Sequence, residues 1–229
     1  MNNSNATFIY SYKKFGLMIG YSLLLMAICA GFSFGYVHKM IYIPTDVNLT
    51  FTLLQENIFI YKLSVLSWVF IFILDLLVSF GIYKIYKDTN IKFAKITTLL
   101  RVLYTIILGI AIFQLILPIV NNFINKKSIV YFESFTSIWT FGLIIFGFHL
   151  LTLGQLGFKS DFTNNIWSFL LALAGLSYIL ISTLKYFFPD LNEMTSSIEK
   201  ILMAPMTIGE LGFGIWIMIK SHRLHKDVS

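Results

Sequence analysis

Charge is scarce in this chain. Asp, Glu, Lys and Arg make up 12% of its 229 residues, about half the share of an average soluble domain. Apolar residues make up 57% and aromatics 17%, and the mean hydropathy is +0.79. A single water-soluble core of this size could not enclose that much apolar side chain. There is one cysteine, Cys29, so a disulfide framework is excluded. Ile28 stands where a lipoprotein signal needs a small residue before the cysteine. The four prolines, Pro44, Pro118, Pro189 and Pro205, fall at the ends of apolar runs or between them. No P-loop, G-x-G-x-x-G, H-E-x-x-H or C-x-x-C occurs, which removes the nucleotide, zincin and thiol-redox motifs. The solvent for such a chain is lipid.

A transmembrane helix needs about 20 mostly apolar residues. Six runs qualify or nearly so: Phe15–Val37, Leu63–Tyr83, Ile96–Ile119, Phe135–Phe158, Ile166–Phe187 and the shorter Met206–Ile219. The first follows Lys13 and Lys14 as a signal peptide would. It is too long for that role and lacks a small-x-small cleavage site, so it reads as a retained span. The period-two alternation of β-barrel strands is missing. The expected fold is an all-α six-helix bundle forming one domain over residues 1–229.

The basic residues are unevenly distributed. One side collects Lys13, Lys14, Lys84, Lys87, Lys92, Lys95, Lys159, Lys220, Arg223 and Lys226. The other has Lys39, Lys62, Lys126, Lys127, Lys185 and Lys200, balanced by Asp46, Glu56, Glu133, Asp190, Glu193 and Glu199. The positive-inside rule therefore puts both termini in the cytoplasm. On the outer side, Asp190 and Glu193 have capping-box spacing. Leu191, Met194, Ile198, Ile201 and Leu202 then recur at helical spacing, which predicts a short amphipathic helix before the sixth span. Asn48–Tyr61 is a weaker candidate of the same kind. Gly16, Gly20, Ala27, Gly31 and Gly35 line one face of the first span, where small residues let a second backbone approach. Packing within the bundle is the expected use of this seam, and a homodimer through the Gly16/Gly20/Gly31/Gly35 face is the alternative.

Asp75, Arg101, His149 and Glu210 lie inside apolar runs, where a charge at a helix centre costs about 2.5 kcal/mol or more and requires a partner or a wet cavity. Asp75 and Arg101 are nine residues from Lys84 and Lys92. His149 and Glu210 are ten from Lys159 and Lys220. At 1.5 Å per residue all four reach a depth of roughly 14–15 Å, near the middle of a ~30 Å core. Four helices presenting charge at one level satisfy it by facing each other. Ser79, Tyr104, Thr105 and Thr152 stand three or four residues away as polar helpers, and Tyr21, Gln114, Gln155, Ser177 and Tyr178 occupy neighbouring levels. With neutral His149 the cluster has a charge of −1, so it can take up one proton or one cation. The alternative is a structural knot in which Asp75 or Glu210 neutralises Arg101.

Several short motifs in order resemble the bacterial multi-pass membrane family called domain-of-unknown-function family 4386, over about residues 60–221. They are Asp75-Leu76-Leu77, Leu100-Arg101-Val102-Leu103-Tyr104, Phe148-His149-Leu150-Leu151 with Gly154 and Lys159-Ser160, Ala174-Gly175 with Tyr178, and Gly209-Glu210-Leu211 with Trp216 and Lys220. After Ser160 the chain has Asn164-Asn165 where the family usually has a proline. The resemblance implies six spans in a bacterial cytoplasmic membrane and assigns no activity. It also puts the four ionisable residues among the family's motif positions.

The residues thus point to a midplane site of Asp75, Arg101, His149 and Glu210, with Tyr104 and Tyr178, that binds or passes a small solute or ion with proton linkage. No metal, cofactor or nucleic acid is expected, and the bilayer is the main partner. Two rivals stand beside this reading. One is an intramembrane hydrolase or transferase acting on a lipid, with His149 as base together with Glu210 or Asp75; it lacks a clear nucleophile, Ser79 and the interfacial Ser160 being the only seryl candidates near the right helices. The other is a structural or accessory subunit.

Overall fold

A computed structural model describes residues 3–120 and 129–223, with side chains from residue 11 onward. Every long element is helical. Helix α1 (Asn3–Ala30) continues through a π-helical stretch, Gly31–His38, and a last turn, Lys39–Ile41. It is followed by α2 (Val47–Glu56), α3 (Ile58–Tyr86), α4 (Ile91–Val120), α5 (Ile129–Phe158) and α6 (Asn165–Phe187). The final run is α7 (Asn192–Thr207), a π-helical turn at Ile208–Gly212, and α8 (Phe213–Arg223). Among the described residues, six helical runs are long and apolar enough to cross a membrane: Ser11–Ile41, Ile58–Tyr86, Ile91–Val120, Ile129–Phe158, Asn165–Phe187 and Pro189–Arg223. Lys126, Lys127 and Lys226, which enter the charge comparison, lie outside the described residues.

Each predicted span is there, extended at one or both ends. The first reaches Ile41, which brings His38 into the apolar helix. The last differs more. The segment expected to be a separate amphipathic helix and the apolar segment form one continuous run, with Pro205 inside α7. Proline has no N–H for the carbonyl four residues back, and the ladder returns to register through the π turn that starts three residues later. The capping box is also absent. Pro189 opens a 3₁₀ turn, and no side-chain cap bonds either that turn or α7. A capping bond does form at α2, where Asp46 accepts from Leu49 N at 2.9 Å. Another forms at α6, where Asn164 accepts from Ile166 N at 3.0 Å. That second bond is what Asn164-Asn165 provides in place of a proline.

The helices pack in sequence order, and the ring closes when α8 returns to α1 and α7 to α6. Gly16 faces Ser221, so the start of α1 and the end of α8 meet at one end of the bundle. Large apolar side chains point outward from every span; Ile28 is 68% exposed and Leu66 63%. Such a surface requires a hydrocarbon solvent.

Glycines permit the tightest contacts. A Cβ on Gly175 would lie 2.6 Å from Gly147 O, and one on Gly147 would lie 2.7 Å from Gly175 O. The seam of α1 divides in two. Gly16 and Gly20 are occupied by Ser221 and Met218 of α8, while Gly31 and Gly35 meet nothing within 4 Å. A second copy could therefore use only the Gly31/Gly35 part of the face expected for a homodimer. Gly175→Ala should lower stability by about 1–3 kcal/mol through overpacking, whereas Gly31→Ala should stay within about 0.5 kcal/mol of wild type. Thermal unfolding in detergent compares them, and equal losses would contradict this packing.

Candidate functional site

The residues singled out by matched depth do converge, though not as a single square. Asp75 of α3 and Arg101 of α4 form an ion pair, Oδ1 to Nη2, at 2.5 Å. Both are buried, Asp75 fully and Arg101 to within 1%, so Arg101 does not extend to an interface. Its Nη1 lies 3.3 Å from His149 Nε2 of α5, and its guanidinium stacks over Phe146 with Cζ 5.3 Å from the ring centroid. His149 Nδ1 lies 2.8 Å from Thr97 O. A carbonyl only accepts, so Nδ1 carries the proton and Nε2 accepts from Arg101. The neutral imidazole satisfies both contacts.

Glu210 belongs to a different contact. It lies in the π turn between α7 and α8, where Tyr178 of α6 donates to its Oε2 at 3.1 Å. No cation lies within ion-pair distance of it among the described residues, whose ion pairs are Asp75–Arg101 and Lys185–Glu199. Arg101 is thus neutralised by Asp75. Beside His149, among the described residues, the structure places Arg101 and no carboxylate, because α5 faces α4 across the pair.

The smaller helpers mostly bond to their own helices. Ser79 donates to Asp75 O at 2.8 Å, Thr105 to Arg101 O at 2.8 Å, Thr152 to His149 O at 2.9 Å, and Ser177 to Leu173 O at 2.9 Å. A hydroxyl on a helix finds the carbonyl one turn back more easily than a neighbouring helix. Tyr21 pairs with His222 at 3.2 Å, near the end of the bundle. Gln155 faces outward. Ser160 Oγ accepts from Phe162 N. His149 therefore has both nitrogens engaged and no hydroxyl to activate. Tyr104 and Tyr178 are the helpers that turn inward.

What joins these groups is a cavity of about 410 Å³. Asp75, Tyr104, Tyr178 and Glu210 line its deep end. Leu23, Met26, Ala27 and Phe34 of the first span form one wall, and Trp68, Trp139 and Phe146 form others. Thr136, Thr140 and Ser182 lie along it, and the Lys185–Glu199 pair borders its other end. That pair, at 2.6 Å, is partly exposed. Phe34, Trp139 and Trp68 pack edge to face, with centroids 4.7 and 5.1 Å apart. Tyr104, Phe146 and Tyr178 continue the aromatic wall at 4.8 and 5.3 Å. Phe146 lines the cavity and Arg101 does not, so the ring covers the guanidinium. Two atoms of the ion pair, Asp75 Oδ2 and Arg101 Nε, have no hydrogen-bond partner among the described residues.

Sequence reasoning missed the aromatic lining and the Lys185–Glu199 pair. The tryptophans carried a usable signal, since Trp68 and Trp139 sit within spans. The π-helical stretches carried none. They place Phe34 and Glu210 on the cavity wall, and π insertions frequently occur at functional sites. Among the described residues no group of three His, Cys, Asp or Glu is placed to hold a metal ion.

His149→Ala should cost about 1–3 kcal/mol by leaving Thr97 O and Arg101 Nη1 unsatisfied in the interior. His149→Gln, which can both donate and accept, should cost less. It should also leave the stability profile between about pH 6 and 8, around the usual histidine range, parallel to wild type. Unfolding measured across that range tests this. A flattened profile in the glutamine variant would mean that His149 titrates there.

Six apolar helices closed around a polar-ended cavity define a multi-pass helical membrane protein. Residues 18–221 match the family described as Domain of unknown function (DUF4386), and the chain belongs to it. The match begins at residue 18 and so includes the first span, which the motif resemblance from about residue 60 did not reach. An uncharacterized protein of Archaeoglobus fulgidus is 25% identical to this chain over 166 residues, covering 72% of this chain and 88% of the relative. No solved structure matches the chain.

Proposed function

We propose that this protein binds a small solute within the membrane, in the cavity between α1, α3, α4, α5, α6 and the α7–α8 run, and that it passes the solute or signals its presence. The observation that carries this reading is the cavity itself: about 410 Å³ reaching from a partly exposed ion pair to the carboxylates of Asp75 and Glu210. Ligand sites of roughly 300–1,000 Å³ combine apolar walls with a few convergent polar groups. A purely structural knot accounts for Asp75, Arg101 and His149, all of which are engaged. It leaves unexplained why Glu210 and two tyrosines face an open space.

Proton linkage, on this reading, belongs to Glu210 and not to His149. The groups around it are Tyr178 from α6, Tyr104 from α4 and Asp75 from α3, with Arg101 of α4 behind it across a small separate void, Lys185 and Glu199 at the far end and only apolar lining from α1. A protonated Glu210 makes the cavity neutral, and an ionised one leaves it a single negative charge.

The reading includes a location. The protein sits in a bacterial cytoplasmic membrane with both termini inside, supported by the excess of basic residues on that side. The first turns of α7 then lie at the outer surface beside the cavity mouth. Ser197→Cys should react with an impermeant thiol reagent from outside. By the same topology Ser128→Cys should also label from outside; Ser128 lies outside the described residues.

Access to the cavity tests the proposal. With Cys29 replaced by serine, Thr140→Cys should be modified by a small, impermeant, water-soluble thiol reagent added to the outer side of intact cells. Modification of Ser197→Cys without any at Thr140→Cys would mean that the space is sealed, and the solute-binding reading would fall.

A further inference from the structure

Charge and chemistry at the cavity narrow its ligand. Four charged residues line it: Asp75, Lys185, Glu199 and Glu210. Asp75 is neutralised by Arg101, and Lys185 and Glu199 by each other. Glu210 remains, with the Tyr178 hydroxyl as its hydrogen-bond partner among the described residues. The local balance is one uncompensated negative charge when Glu210 is ionised. An anionic ligand would find no free cation. Arg101 is spent on Asp75 and covered by Phe146, and Lys185 is held by Glu199.

The walls point the same way. Trp68, Trp139, Phe146, Phe34, Tyr104 and Tyr178 present ring faces or edges to one space, and aromatic faces attract cations, quaternary ammonium groups above all. The volume suits an organic molecule far better than a bare metal ion, which needs several oxygen ligands at short range. At the deep end, Asp75 Oδ2 is fully buried, without a partner among the described residues, and Asp75 lines the cavity.

Resting on the solute-binding reading above, we propose that the ligand is a monovalent organic cation, an amine or quaternary ammonium carrying an apolar group about the size of one ring, with Glu210 as its counter-charge. The cation and a proton on Glu210 then exclude each other, so the cation binds more weakly as pH falls.

The test compares three probes of one shape: benzyltrimethylammonium, its neutral carbon isostere neopentylbenzene, and the anion phenylmethanesulfonate. Binding to the full-length protein is read from the rise in unfolding temperature at matched free concentrations. The cation should bind at least tenfold more tightly than the neutral isostere, and the anion should not bind measurably. In Glu210→Gln, close in shape to glutamate, the advantage of the cation over the isostere should fall to within about twofold while the isostere binds as before. Equal binding of cation and isostere, or a preference for the anion, overturns the cation assignment and leaves the cavity a binding site. A cation preference that survives in Glu210→Gln overturns the role of Glu210. If none of the three binds wild type, the solute-binding reading itself is wrong. The ranking in wild type alone decides the charge, so the outcome does not depend on the variant folding.

Discussion

Replacing Arg101 by leucine should be among the most damaging single changes in this protein, with a loss of about 3–5 kcal/mol, the usual cost of breaking a buried ion pair from one side. The cost arises from what remains. Asp75 has no exposure to water, and without Arg101 its carboxylate is left charged in a low-dielectric interior. Adding Asp75→Asn to Arg101→Leu should therefore recover stability, which is the opposite of what two independent losses would do. The Glu210 pair behaves differently. Glu210 makes no ion pair with Arg101, so Arg101→Leu with Glu210→Gln should be nearer additive, and the Asp75 coupling should exceed the Glu210 coupling severalfold. A thermal or chemical unfolding cycle in detergent distinguishes the two pairs. Equal couplings would mean that Arg101 serves both carboxylates.

The second large effect concerns the cavity. Thr140 lines it, one residue from Phe141, which packs on Tyr186 beside Lys185. Thr140→Trp introduces an indole into an open space and not into packed core, so the overpacking cost of about 1–3 kcal/mol should be largely avoided. Benzyltrimethylammonium binding should nevertheless fall by at least thirtyfold, about 2 kcal/mol, because the indole takes up the ligand's space. Binding unchanged in a stable Thr140→Trp protein would place the ligand elsewhere.

Much of this was legible in the sequence, for physical reasons. Hydrocarbon allows few charges, so each charge inside a span is a strong signal, and counting residues from the flanking lysines brought Asp75, Arg101 and His149 to one level. Helical pitch turns sequence distance into depth, which is why the calculation worked. Depth does not give rotation about the helix axis. That is where the reading stopped, since rotation decided that Arg101 faces Asp75 and His149 while Glu210 faces Tyr178. Local backbone features were no easier to foresee. Pro205 falls between apolar runs in the sequence, yet it lies inside a continuous helix, just ahead of the π turn that carries Glu210. Gly31 and Gly35 looked like half of a packing seam, and the structure puts them in a π-helical stretch on which neither glycine position meets a neighbour within 4 Å. The hydroxyls at i+3 and i+4 were misjudged because bonding to their own helix competes with bonding across the bundle.

The most direct test of the central claim, an Asp75–Arg101 pair beside a Glu210 that is free to meet a ligand, is a crystal structure grown in a lipid mesophase with benzyltrimethylammonium. The account predicts Arg101 on Asp75, with the ammonium group near the Glu210 carboxylate and within about 6 Å of an aromatic centroid. Arg101 paired with Glu210, or aromatic side chains collapsed into a filled interior with the probe excluded, would contradict it.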